Sequence, residues 1–91
     1  MKFRVAIHAG SKAPEDALDR LIGRLGGEHE DVWFAKPGPV IDATWLTEAP
    51  VAMERDERMA VGRWKVWEIV EEVCEGIPDL SPTWFAVSPQ L

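Results

Sequence analysis

Over residues 2–8 polar and apolar side chains alternate, with Phe3, Val5 and Ile7 at every second position, the period of a strand with one buried side. The Ala9-Gly10-Ser11-Lys12 stretch makes a turn. Leu18, Leu21, Ile22 and Leu25 then recur at helical spacing, with Glu15, Asp16 and Asp19 at the start and Arg20 and Arg24 near the end, as the helix dipole favours. Gly26-Gly27 stops this helix. Residues 31–36, containing Val32, Trp33 and Phe34, predict a second strand. Lys36-Pro37-Gly38-Pro39 places Pro and Gly at the centre of a type II turn, and residues 40–47 supply a hairpin partner rich in β-branched and aromatic side chains. Pro50 ends that strand or confines it to an edge. Between Val51 and Glu54 an added strand and an irregular link fit equally well.

Residues 56–75 predict the long helix. At 100° per residue, Met59, Gly62, Val66, Ile69, Val70, Val73 and Ile77 share one arc, with Trp67 and Cys74 at its border. Gly76 and Pro78 stop it. Residues 83–88 read as a last strand ended by Pro89, with 88–91 as a short tail. The order strand, helix, strand, strand, helix, strand fits a single α+β domain over residues 1–91. Two helices on one face of a four-stranded antiparallel sheet, first and third strands central, give a ferredoxin-like arrangement.

Sixteen acidic against ten basic residues set the net charge at −6, and no Lys or Arg occurs from Val66 onward. Phosphate backbones are bound by clustered Lys and Arg, so neither nucleic acid nor an anionic membrane surface is an expected partner. The lone Cys74 excludes an intramolecular disulfide and fits a reducing compartment. The apolar run behind Met1-Lys2-Phe3-Arg4 is too short for a signal peptide, and no stretch is long enough for a membrane span. A cytoplasmic location is the expectation.

Strand parity raises one anomaly. With Phe3, Val5, Ile7, Val32, Phe34, Phe85 and Val87 under the helices, Ala6, His8, Trp33, Ala35, Trp84 and Ala86 point to the other side. In the return strand Ile41, Ala43 and Trp45 share one parity and Val40, Thr44 and Leu46 the other, and parity does not choose between them. A bare face carrying several indoles exceeds what a soluble monomer usually leaves open. Either the parity is inverted somewhere, a further segment covers the face, or it is an interface: a homodimer, a different protein, or an apolar ligand between subunits. The candidate interface comprises Ala6, Trp33, Ala35, Trp45, Trp84 and Ala86.

A second candidate surface is acidic. Glu68 and Glu72, and Glu71 and Glu75, repel at four-residue spacing at the negative end of the helix dipole. They form a solvated face or, with Trp64 as anchor, a docking surface for a basic protein. Catalytic motifs are absent: there is no G-x-S-x-G, H-E-x-x-H or G-x-G-x-x-G. Ser11 and Lys12 at a helix start are weak candidates for holding an anion, and His8 for lining a ligand cleft. His29 lies in a polar loop without identifiable co-ligands, and no metal, cofactor or catalytic set is expected. The leading expectation is a small acidic non-enzymatic interaction module, regulatory or inhibitory, dimerising through the tryptophan face. The alternatives are a small-molecule-binding protein or small enzyme with a pocket near His8, and an accessory subunit of a larger assembly.

Overall fold

In the computed structural model, which describes residues 1–46 and 54–90, the elements run β1 (Lys2–Ile7), α1 (Ala17–Leu25), β2 (Glu28–His29), β3 (Val32–Ala35), β4 (Ile41–Trp45), α2 (Arg55–Glu75) and β5 (Phe85–Pro89). A single 3-10 turn, Pro82–Trp84, precedes β5. The strands form one antiparallel sheet in the order β2-β3-β4-β1-β5, an α+β domain with β1 and β4 inside the sheet. The expectations for residues 47–53, including the role of Pro50, lie outside the described residues.

Four strands were expected and five are present. The additional strand is β2, in which Glu28 pairs with Trp33 and His29 with Val32, so His29 belongs to a strand and not to a loop. The two-residue connection Glu30-Asp31 requires positive φ at its first position, and Glu30 adopts it at 57°. A carboxylate side chain there is unfavourable by about 1–2 kcal/mol. Lys65 on α2 holds the loop from above, 2.7 Å from Glu30 and 3.4 Å from Asp31, and the Trp45 indole N–H donates to Asp31 Oδ2 at 3.1 Å.

The type II turn is also corrected. Gly38 does not take the left-handed conformation that such a turn requires; among the glycines only Gly10 and Gly26 do. Gly26 ends α1 with φ 71° and its N–H on the Ile22 carbonyl, as the double glycine implied. Strand β5 begins later and ends later than expected, because Pro82–Trp84 coil into the 3-10 turn while Ser88 and Pro89 stay paired to β1. The chain expected as a tail continues that pairing: the Gln90 N–H donates to the Lys2 carbonyl at 2.9 Å.

Both helices lie on one face. Phe3, Val5, Val32, Phe34, Ile41, Ala43, Phe85 and Val87 from the sheet are buried with Leu18, Leu21 and Leu25 of α1 and Val66, Ile69, Val70 and Cys74 of α2. The open choice in β4 thereby resolves: Ile41, Ala43 and Trp45 face the helices. Where α2 crosses β1 the approach is close enough to demand glycine. A Cβ on Gly62 would stand 2.5 Å from Phe3 Cζ and 2.9 Å from Trp45 Cε3. The opposite face is mixed, not apolar. Its cross-strand rows are Trp33, Thr44 and Lys2; Ala35, Asp42, Arg4 and Ser88; and Ala6 with Ala86. Arg4 stands directly opposite Asp42, a favourable polar pairing for a water-facing surface. Among the described residues no helix is long and apolar enough to cross a membrane.

Candidate functional site

The tryptophans expected to share a face are distributed over the molecule. Trp33 is exposed on the bare face beside Ala35, with Ala6 and Ala86 half-buried further along it. Trp45 lies on the helix side of the sheet. Trp84 sits in the 3-10 turn, half-buried against the core and edge-on to Phe85, with ring centroids 6.4 Å apart. Parity failed at Trp84 because a 3-10 turn has a three-residue period, so alternation stops where the turn begins. One indole on a face with Lys2, Arg4, Asp42 and Ser88 is an ordinary surface.

The apolar surface is elsewhere. Trp64 is 66% exposed and Val61 44% exposed, both on α2. Ala60, Arg63, Trp64 and Trp67 recur at helical spacing on the flank of α2 between its buried arc and its acidic side, so they form one wall. The facing wall is β5, with Phe85, Ala86 and Val87, and His8 closes one end. The cleft between them has a volume of about 420 Å³.

β5 is an edge strand, and its hydrogen-bonding parity determines what it shows to the cleft. The bonds His8 N–H to Trp84 O, 2.7 Å, and Gln90 N–H to Lys2 O bracket its ladder with β1. Pairs alternate in an antiparallel ladder, so Ala86 and Ser88 turn their amides to β1 while Phe85, Val87 and Pro89 turn theirs outward. Half of that edge is already closed off. The Phe85 N–H donates to Pro82 O, Pro89 has no N–H, and the Val87 carbonyl accepts from Arg63 Nε at 2.8 Å. Pro89 is tolerated in β5 because its missing donor is on the outer side. The edge that remains is the Val87 N–H and the carbonyls of Phe85 and Pro89.

The Arg63 bond orients the guanidinium. Fixed through Nε, its terminal nitrogens keep four N–H donors, and among the described residues no carboxylate lies within ion-pairing distance of it. A planar cation in a cleft also lined by two indoles and an imidazole suits a carboxylate attached to an apolar group. No family model, curated protein or solved structure matches the chain.

The other candidates separate. His8 lines the cleft, whereas Ser11 and Lys12 do not: the Ser11 N–H donates back to the His8 carbonyl, closing the turn at Gly10, and Lys12 is exposed. Glu68, Glu71, Glu72 and Glu75 are all exposed on the second half of α2, and Trp64 turns into the cleft beside Arg63. Cys74 is buried in the core, and burial pushes its thiol up to about 11. The Glu30 carboxylate, with Asp31 beside it, holds the Lys65 ammonium above its usual range. Among the described residues no three His, Cys, Asp or Glu side chains converge as metal ligands would. Sequence reasoning passed over Arg63. The available signal was the 60, 63, 64, 67 spacing, a small residue, a cation and two indoles on one flank of α2.

Proposed function

We propose that the protein is a non-catalytic recognition module that binds an apolar group bearing a carboxylate in the cleft between α2 and β5. The frame that carries the cleft is read as a ferredoxin-like sheet, β3-β4-β1-β5, extended at one edge by β2. The observation that supports this function is Arg63, held by the Val87 carbonyl in a cleft shared with Trp64 and Trp67 and, among the described residues, without an acidic partner. A cleft of about 420 Å³ falls in the range used by small ligands and by single side chains of a partner. This reading keeps the expected interaction module but moves its surface from the sheet to the α2–β5 flank. A homodimer through the bare sheet face loses its support once the indoles are dispersed, and a basic partner on the acidic helix end has charge alone in its favour.

The test uses N-acetylleucine, which combines a carboxylate with an apolar side chain, and its uncharged methyl ester. Titration is followed by ¹⁵N–¹H spectra and tryptophan fluorescence. The acid should shift the indole N–H resonances of Trp64 and Trp67 and the amides of Ala86 and Val87. The ester should bind about tenfold more weakly, and R63Q should bind the two alike, the loss of one charge-assisted contact. Equal binding of acid and ester by the native protein, or shifts centred on Trp33, would refute the proposal.

A further inference from the structure

The cleft at Arg63 has a neighbour on the same two elements. A second hollow of about 350 Å³ lies further along the same two elements, between Arg55 and Met59 of α2 and Pro89 and Gln90 at the end of β5, with Met1 and Lys2 at its rim. The helix and the strand run past each other in opposite directions: α2 positions 67 to 55 follow β5 positions 85 to 90. From Trp67 back to Arg55 the helix rises about 18 Å, and from Phe85 to Gln90 the strand advances about 17 Å, so both walls have the length of five or six extended residues. Among the described residues every ionisable side chain lining the two hollows is basic or imidazole: His8 and Arg63 in the first, Lys2 and Arg55 in the second. In a chain of net charge −6 that lining is locally basic, with Glu54, Asp56 and Glu57 exposed beside Arg55 but outside it. The acidic residues Glu68 and Glu71 lie one turn beyond Trp64 and Trp67, outside the lining, and mark the end of the track.

Resting on the proposed recognition of an apolar carboxylate, we infer that the natural occupant is an extended acidic segment of a partner protein, lying along the α2–β5 seam across both hollows. Alternation in an extended chain puts apolar side chains against Trp64 and Met59 and carboxylates within reach of Arg63 and Arg55. The occupied edge of β5 excludes a full added strand, because Arg63 and Pro89 interrupt it. Among the described residues the Val87 N–H is the one outward backbone donor of β5 in the seam. Recognition is therefore by side chains and charge, with its direction set by the glutamates at the far end of α2.

The experiment compares acetylated and amidated peptides Asp-Leu, (Asp-Leu)2 and (Asp-Leu)3 with (Ser-Leu)3 and (Lys-Leu)3, using the full chain and the same spectra. Affinity should rise at least tenfold from the dipeptide to the hexapeptide and fall on adding salt. R55Q, at an exposed helix position, should weaken the hexapeptide about threefold to tenfold while leaving the dipeptide unchanged, with thermal melts confirming its fold. Affinity independent of length, or an R55Q protein that binds the hexapeptide normally, overturns the track; the cleft reading survives if N-acetylleucine still binds at Arg63. Equal binding of (Ser-Leu)3 or (Lys-Leu)3 overturns the acidic partner. Binding by neither the peptides nor N-acetylleucine refutes both proposals.

Discussion

Gly62 is the position where the packing makes its sharpest quantitative demand. Alanine in place of a helix-interior glycine ordinarily stabilises by about 1 kcal/mol, because glycine loses more backbone entropy on folding. At Gly62 the added methyl group would stand 2.5 and 2.7 Å from two atoms of the Phe3 ring and 2.9 Å from the Trp45 indole. Carbon atoms prefer about 3.5–4.0 Å, so the overlap approaches an ångström. Neither neighbour moves freely: Phe3 is fully buried, and Trp45 is tied to Asp31 by its indole N–H. Overpacking of this kind costs about 1–3 kcal/mol. With both neighbours held, the upper part of that range, about 2–3 kcal/mol, applies; it outweighs the propensity gain, and G62A should be destabilised by about 1–2 kcal/mol, a fall in Tm of roughly 5–15 °C for a domain of this size. Gly23, on the exposed side of α1, is the control. Nothing lies within 4 Å of its added Cβ, so G23A should raise stability by about 0.5–1 kcal/mol. Thermal and urea unfolding followed by circular dichroism measure both. If G62A gains stability as G23A does, α2 does not press on Phe3, and the placement of the helix that forms the cleft is wrong.

Alkaline pH should weaken the fold. Cys74 keeps its proton in the folded state up to about pH 11, whereas an unfolded thiol loses it near its usual value of 9.0. The unfolded chain therefore binds fewer protons between those values, and stability should fall by about 2 kcal/mol from pH 9 to 11. Lys65 acts in the same sense: its raised value favours the folded state below 10.5, a contribution lost as pH climbs through the folded value. Urea unfolding at stepped pH checks this, and C74A should flatten the part of the slope nearest pH 9. Replacing the half-buried Trp45 by Phe removes one hydrogen bond to a carboxylate and should cost about 1–2 kcal/mol in the same assay. Sedimentation of the native protein and of W33K should coincide at micromolar concentration; a native dimer that W33K dissociates would restore the sheet face as the association surface.

Periodicity alone placed both helices and the strand pairs around them, because burial on one face imposes a period of 3.6 or 2 on any sequence that folds this way. It also assigned the buried arc of α2 around Val66, Ile69 and Val70, placed Cys74 at its border, and stopped α1 at its two glycines. It did not reveal β2, since the Glu30-Asp31 connection carries neither glycine nor asparagine. The left-handed Glu30 is supported by Lys65, thirty-five positions further along the chain. Nor did it show which side of β4 is buried. Ile41 and Leu46 are equally apolar, and only the close crossing of α2 at Gly62 sets Trp45 beneath the helix. The cleft was the least legible part. Ala60, Arg63, Trp64 and Trp67 are close in sequence, but their counterpart Val87 and the closing His8 arrive from opposite ends of the chain. Local patterns record which way a side chain faces within its own element. Which foreign surface it then meets is decided by strand order and helix crossing, and those exist only once the sheet has formed.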